Sequence, residues 1–67
     1  MPFEYKTDIA QRYFPRASVR EARRMLNHEI NATRGLLDAL TEAGYHSKNH
    51  YLTPRQQEIL YRFLGEP

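Results

Sequence analysis

The chain has 67 residues and no cysteine, so a single hydrophobic core has to hold its fold together without covalent help. A chain of this length buries only about 60% of its extended surface on folding, which leaves its stability marginal. The lack of cysteine excludes disulfide frameworks, thiolate zinc fingers, iron–sulfur centres and cysteine nucleophiles. Eight aromatic residues, five of them tyrosines, can supply much of the buried area. We predict one domain spanning residues 1–67.

The first residues alternate between aromatic and charged side chains before a helical pattern begins. The alternation over residues 3–6 indicates a short strand or an extended arm. Thr7 is predicted to be the N-cap of the first helix, with Asp8 in its first turn. Pro15 disfavours helical geometry at Phe14, so this helix is predicted to be about two turns long.

The second helix has a clear start signal in Ser18 and Glu21, which match a capping box. It is predicted to extend to about Ile30. Helical spacing puts four apolar residues on one face, which we predict to be core: Val19, Ala22, Leu26 and Ile30.

Two further helices are predicted, separated by a polar stretch. The third is predicted from Thr33 to a C′ glycine at Gly44, with Leu36, Leu37, Leu40 and Ala43 on its apolar face. Residues 45–51 are predicted to form a loop or a short hairpin. The fourth helix is predicted to begin with the capping box Thr53-Pro54-Arg55-Gln56, to end at Gly65, and to bury Ile59, Leu60, Phe63 and Leu64. The fold predicted is all-α: a small orthogonal four-helix bundle with a helix-turn-helix-like unit over residues 7–30.

The net charge of +2 hides an uneven distribution. Residues 12–34 contain six arginines and two glutamates, a net +4, whereas the segments on either side each carry −1. Every positive charge in this stretch is an arginine, which favours planar, bidentate contact with phosphates or base edges. A basic middle between mildly acidic ends indicates a polyanionic partner.

The first two predicted helices and the short turn between them follow the plan of a DNA-binding helix-turn-helix. In that plan the second helix enters the major groove, where arginine can bind guanine and asparagine can bind adenine. Asp38 and Glu42 on the third helix would repel phosphate, so the second helix is the better candidate. We predict base contacts from Arg20, Arg24 and Asn27, with Asn31 on the same stripe, and phosphate contacts from Arg23, Arg16 and Lys48.

Two other interpretations stay open. An arginine stripe opposite an apolar face is often simply a solvated helix surface. The wide apolar face of the fourth helix, with the tyrosines of the 45–52 segment, could instead make the protein a non-enzymatic interaction module that binds another protein or a second copy.

The sequence offers little for catalysis. It contains no Ser/His/Asp arrangement, phosphate-binding glycine loop or paired-carboxylate motif, and His46 and His50 lack further ligands for a metal. We expect no enzymatic activity, no cofactor, no metal and no small-molecule substrate. No stretch is apolar enough to cross a membrane or to act as a signal peptide, so we expect a cytoplasmic protein.

The order of several short motifs is similar to that of a known group of small bacterial proteins. The motifs are Ile9-Ala10-Gln11-Arg12-Tyr13-Phe14-Pro15, the spaced Ala22, Leu26 and Ile30, Gly44-Tyr45, Leu52-Thr53-Pro54-Arg55-Gln56 and Leu64-Gly65-Glu66-Pro67. From about Tyr5 to Pro67 the chain resembles the domain of unknown function 4248 family. The resemblance implies a small helical domain of helix-turn-helix-like character and supplies no activity.

A looser similarity connects the chain with the winged helix-turn-helix of MerR-type regulators. In those proteins a short helix, a basic second helix, a wing with an aromatic residue and a later helix follow in this order, and Tyr51-Leu52-Thr53-Pro54 stands where the aromatic precedes the later helix. The third predicted helix is additional to that plan, so the similarity is an analogy.

Overall fold

Four helices and one pair of very short strands form the fold in this computed structural model, which describes residues 2–67. The elements follow in the order β1 (Glu4–Tyr5), α1 (Lys6–Tyr13), α2 (Val19–Ala32), α3 (Leu36–Glu42), β2 (Tyr51–Leu52) and α4 (Pro54–Leu64). The predicted mainly helical four-helix fold is confirmed, with a minor strand pair added to it.

The two strands run antiparallel, with Glu4 opposite Leu52 and Tyr5 opposite Tyr51. The alternation at the start of the chain is therefore a strand. It leads directly into α1, so the predicted N-cap at Thr7 is wrong: Tyr5 occupies the cap position and gives no side-chain cap. The backbone N–H of Lys6 instead donates to the carbonyl of His50 at 2.8 Å. Strand pairing sets where α1 begins.

The predicted start of α2 is confirmed. The hydroxyl of Ser18 accepts from the backbone N–H of Glu21 at 3.2 Å, and the helix continues to Ala32, two residues past the predicted end. Ala22, Leu26 and Ile30 are buried as predicted, but Val19 is 50% exposed. Val19 is the first residue of the helix, at the edge of the surface that packs on the core.

The third helix is shorter than predicted because it begins at Leu36, three residues after the predicted start at Thr33. Thr33 is the C-cap of α2 rather than the start of α3, and α3 begins after Gly35, whose φ of +83° suits glycine. Of the predicted apolar face, Leu36 and Leu40 are buried, Ala43 is half-buried and Leu37 is exposed.

The end of α3 matches the predicted glycine C′ position. Gly44 has φ +85°, its N–H donates to Thr41, and the N–H of Tyr45 donates to Leu40 at 2.9 Å. These two bonds form a Schellman motif, which fixes the direction of the chain into the following loop. Tyr45 is buried and packs in the same core as Leu40.

The fourth helix begins with the predicted capping box. The hydroxyl of Thr53 accepts from the N–H of Gln56 at 3.2 Å, and the side chain of Gln56 accepts from the N–H of Thr53 at 3.1 Å. Ile59 and Leu60 are buried, but Phe63 is partly exposed, so its predicted full burial is wrong. It lies in the last turn, where its ring is near Gly35.

One core joins all the helices. It contains Ile9, Ala10, Ala22, Leu26, Ile30, Leu36, Leu40, Tyr45, Leu52, Ile59 and Leu60. The helices α1 and α2, joined by residues 14–18, are the most extensively packed pair of elements. This pairing holds one face of α2 against the core and leaves its other face in solvent.

The capping box at α4 provides a test of the fold. Thr53→Ala removes the acceptor of the Gln56 N–H, so we expect the free energy of unfolding to fall by about 1 kcal/mol. For a domain of this size that loss lowers the Tm by about 4–8 °C. Thr53→Ser keeps the acceptor and should unfold close to the wild-type temperature in a thermal melt followed by circular dichroism. Equal melting of the two variants would show that the cap contributes nothing.

Candidate nucleic-acid interface

The solvent-facing side of α2 has two flanks of different chemistry. At 100° per residue, five residues follow one another on one side of the helix, and we call them the basic flank: Arg20, Arg23, Arg24, Asn27 and Asn31. On the other side of the helix lie Glu21, Met25 and Glu29, which we call the acidic flank. The two glutamates of α2 are therefore segregated from most of its arginines.

The residues of the basic flank differ in exposure. Arg20, Arg24 and Asn31 are exposed, whereas Arg23 and Asn27 are half-buried at the edge that meets the core. Asn27 was predicted to contact bases with Arg20 and Arg24, but it is half-buried where they are exposed. It lies about 100° from the centre of the buried face, nearer to that face than either arginine.

The arginines of the basic flank have no carboxylate partner among residues 2–67. The ion pairs in this part of the chain join Arg12 to Glu4 at 2.9 Å and Arg55 to Glu58 at 3.8 Å. Arg12 also donates to the hydroxyl of Tyr61 at 3.3 Å, and these hydrogen bonds raise its pKa. Arg12 is thus engaged with its neighbours, while Arg20, Arg23 and Arg24 keep their donors for another partner.

The loop after α3 is fastened to the rest of the protein by a buried lysine. Lys6 has no exposed surface, and its Nζ donates to the hydroxyl of Tyr45 at 2.6 Å and to the carbonyl of Ser47 at 3.1 Å. The amine also lies 5.0 Å from the centre of the Tyr45 ring. No carboxylate accepts from this amine in the described residues, which is unusual for a buried cation.

The buried amine connects this loop with α2 through Arg23. Burial lowers the pKa of Lys6 to about 8, with the positive charge of Arg23 contributing to the same shift. Burial also raises the pKa of Tyr45, against the influence of the same arginine. The charge of Arg23 therefore acts on both the amine of Lys6 and the phenol of Tyr45. Lys48, another residue of the 45–50 loop, is exposed.

The remaining predicted contact, Arg16, lies elsewhere. It is exposed in the turn between α1 and α2 and lines a hollow of about 520 Å³ that also contains Glu21 and Met25. A neighbouring groove of about 450 Å³ is formed by Phe14, Arg24, Met25, His28 and Glu29. Arg16 is therefore at the acidic flank, and Arg24 lies at the boundary between the two flanks.

The described residues contain neither a metal-ligating cluster nor a membrane-spanning helix. Residues 2–67 bring together no group of three or more side chains able to ligate a metal. None of the described helices has the length and apolar character needed to cross a bilayer.

The sequence gives no signal for the groups that hold the loop in place. Lys6 and Tyr45 are 39 positions apart, and a lysine at the start of a helix is ordinarily exposed. Gln57 is equally hidden from sequence reasoning: it is buried, and its Nε2 donates to the carbonyls of Pro2 at 2.9 Å and Leu52 at 3.0 Å. Lys6 holds the loop after α3, and Gln57 holds the start of the chain and β2.

The buried lysine makes stability depend on pH in a defined direction. The pKa of Lys6 is about 8 in the folded protein, against 10.5 for a lysine in water, so above about pH 8 the unfolded chain binds the extra proton. The free energy of unfolding should therefore rise between about pH 8 and pH 10, until ionisation of tyrosines in the unfolded chain reverses the trend. Urea titrations at about pH 7, 8 and 9 measure this rise.

Lys6→Met should abolish the rise with pH, whereas Lys48→Met, which changes an exposed lysine, should retain it. If Lys6→Met retained the wild-type slope, the pH dependence would have another source.

Comparison with known proteins identifies the family of the chain. No curated protein and no solved structure matched the chain. A family model described as Domain of unknown function (DUF4248) matches residues 1–67, which is the whole sequence. The resemblance noted in the order of its motifs is thereby confirmed, and the chain belongs to the DUF4248 family.

Proposed function

We propose that the protein binds double-stranded DNA through the basic flank of α2, as a small transcriptional accessory without enzymatic activity. The observation that carries this proposal is the set of arginines on α2 that have no carboxylate partner among residues 2–67. Guanidinium groups that are not already paired with carboxylates can bind phosphates without first breaking an ion pair. A row of them neutralises several phosphates of a polyanion and releases its counterions, which favours binding. Such a role belongs to a cytoplasmic protein.

The dimensions and packing of α2 suit this role. Its 14 residues span about 21 Å, and an α-helix fits the major groove of B-DNA. One side of α2 is held by α1 and the core, which leaves the basic flank as the surface that can enter the groove. This is the arrangement of the second helix in a helix-turn-helix.

Different residues of the site would have different roles. Arg20 and Arg24 are the most exposed cations of the flank and would contact base edges. Asn27 is half-buried, so it would reach a base only if the helix lies deep in the groove. Arg23, at the edge of α2 that meets the core, and Lys48, an exposed residue of the 45–50 loop, would contact phosphates, and Arg16 would contact the backbone from the turn before α2.

Charge reversal tests the proposal. We expect Arg20→Glu/Arg24→Glu to weaken binding to a fluorescently labelled random duplex by at least about ten-fold, measured by anisotropy. Arg55→Glu/Arg62→Glu is the matched control, since it changes the total charge equally on α4, away from α2. For the wild type, the logarithm of the binding constant should fall with the logarithm of salt concentration, at about −0.9 per phosphate neutralised. Equal losses in both double variants, or binding unaffected by salt, would contradict the proposal.

A second candidate function is a non-enzymatic interaction module that pairs through α4 and the 45–52 segment. The partial exposure of Phe63 and of Tyr51 favours it. If a second copy is the partner, light scattering across a dilution series should show a mass that decreases on dilution. Phe63→Ser should then give a monomer at every concentration, and a wild-type protein that is monomeric throughout would count against self-association.

A further inference from the structure

The outer face of the strand pair carries the most exposed aromatic side chains in the described part of the chain. Phe3 is 63% exposed, Tyr5 is 56% exposed and Tyr51 is 51% exposed. The rings of Tyr5 and Tyr51 lie opposite each other with centroids 5.3 Å apart and planes tilted by 35°. Phe3 lies just before β1, two residues from Tyr5, which is the spacing of side chains on one side of an extended chain. We call these three residues the aromatic face.

The aromatic face is held rigidly. The strands pair with each other, the N–H of Lys6 donates to His50, and the amide of Gln57 donates to the carbonyls of Pro2 and Leu52. These bonds tie both strands to α1 and α4. The backbone that carries the three rings is therefore held in place while more than half of each residue remains in solvent, which reduces the entropy lost when a ligand stacks on them.

The chemistry of the two sides of the strand pair is different. Leu52, on the inner side, is fully buried, and Glu4 opposite it is paired with Arg12. The acidic residue of the strands therefore points away from the aromatic face. Lys48 and His50, three residues and one residue before Tyr51 in the chain, are exposed and give this segment a cation and an imidazole. Aromatic rings with adjacent cations are the usual combination for binding unpaired bases and their phosphates.

We propose that the aromatic face binds single-stranded nucleic acid by stacking one or two unpaired bases on Tyr5, Tyr51 and Phe3. The exposed area of the aromatic face favours a nucleic-acid base over a protein as the ligand. The three residues expose roughly 400 Å², which is about half of the area that each partner buries in a stable protein interface. A base stacks on one ring and needs no larger surface. The aromatic face is a different surface from the basic flank, so binding of single-stranded nucleic acid goes beyond the proposed binding of duplex DNA.

The absence of tryptophan from the chain makes tyrosine emission a direct readout of stacking. Titration with an oligothymidylate strand of about 12 nucleotides should quench the tyrosine emission of the wild type. Tyr5→Ala/Tyr51→Ala should weaken binding of the fluorescently labelled strand by at least about ten-fold and remove most of the quenching. Tyr5→Phe/Tyr51→Phe should retain the affinity, because the rings remain, while losing the same quenching.

Phe3→Ala keeps the test decisive if the double alanine variant does not fold, because Phe3 lies outside the strand ladder and is the most exposed of the three rings. We expect it to bind the strand several-fold more weakly with an unchanged circular dichroism spectrum. Wild-type affinity in both alanine variants would overturn the inference. The inference would also be overturned if the oligothymidylate did not bind while random duplex did. It would equally be overturned if substitutions in the aromatic face abolished self-association and left binding of the oligothymidylate intact.

Discussion

One buried amine fastens the loop that follows α3 to the start of α1. Lys6 stands at the junction of β1 and α1, and its bonds to Tyr45 and Ser47 hold the loop that follows α3. Replacing water around an amine with one hydroxyl, one carbonyl and an aromatic ring recovers only part of its hydration energy. The arrangement therefore costs stability in a small protein, and the benefit is that the loop after α3 is held in a fixed place. The lowered pKa of Lys6 reflects that cost.

The proposed DNA site depends on how α2 divides its surface. A helix of 14 residues with one buried face could have spread its charges evenly over the rest, as solvated helices commonly do. Here Glu21 and Glu29 lie on the same side of the helix as Met25, whereas Arg20 and Arg23 lie on the opposite side. Arg12, which sequence reasoning counts with the same basic segment, is already bound to Glu4 and Tyr61. The local positive field is therefore narrower than the sequence suggests, and it is concentrated on one edge of the helix.

Sequence reasoning succeeds here where the determinant is local and fails where it is distant. Ser18 and Thr53 begin helices as predicted because a cap needs only the next three residues, and Gly44 ends α3 for the same reason. Thr7 and Thr33 have equally good capping side chains, but strand pairing and the left-handed Gly35 decide where those helices begin. The stripe of arginines follows from helical periodicity, whereas the partner of Arg12 and the burial of Lys6 depend on contacts between segments far apart in the chain. The exposed ring pair of Tyr5 and Tyr51 likewise requires the strand register.

The amide of Gln57 has a consequence for how the molecule opens. One nitrogen holds both the N-terminal arm, through Pro2, and the second strand, through Leu52, while its oxygen is buried without a partner among the described residues. Losing either carbonyl leaves the side chain less satisfied, which weakens its hold on the other. The arm and the strand should therefore detach from α4 as a single cooperative unit, so that hydrogen exchange reports one shared opening energy for both, below that of the helical core.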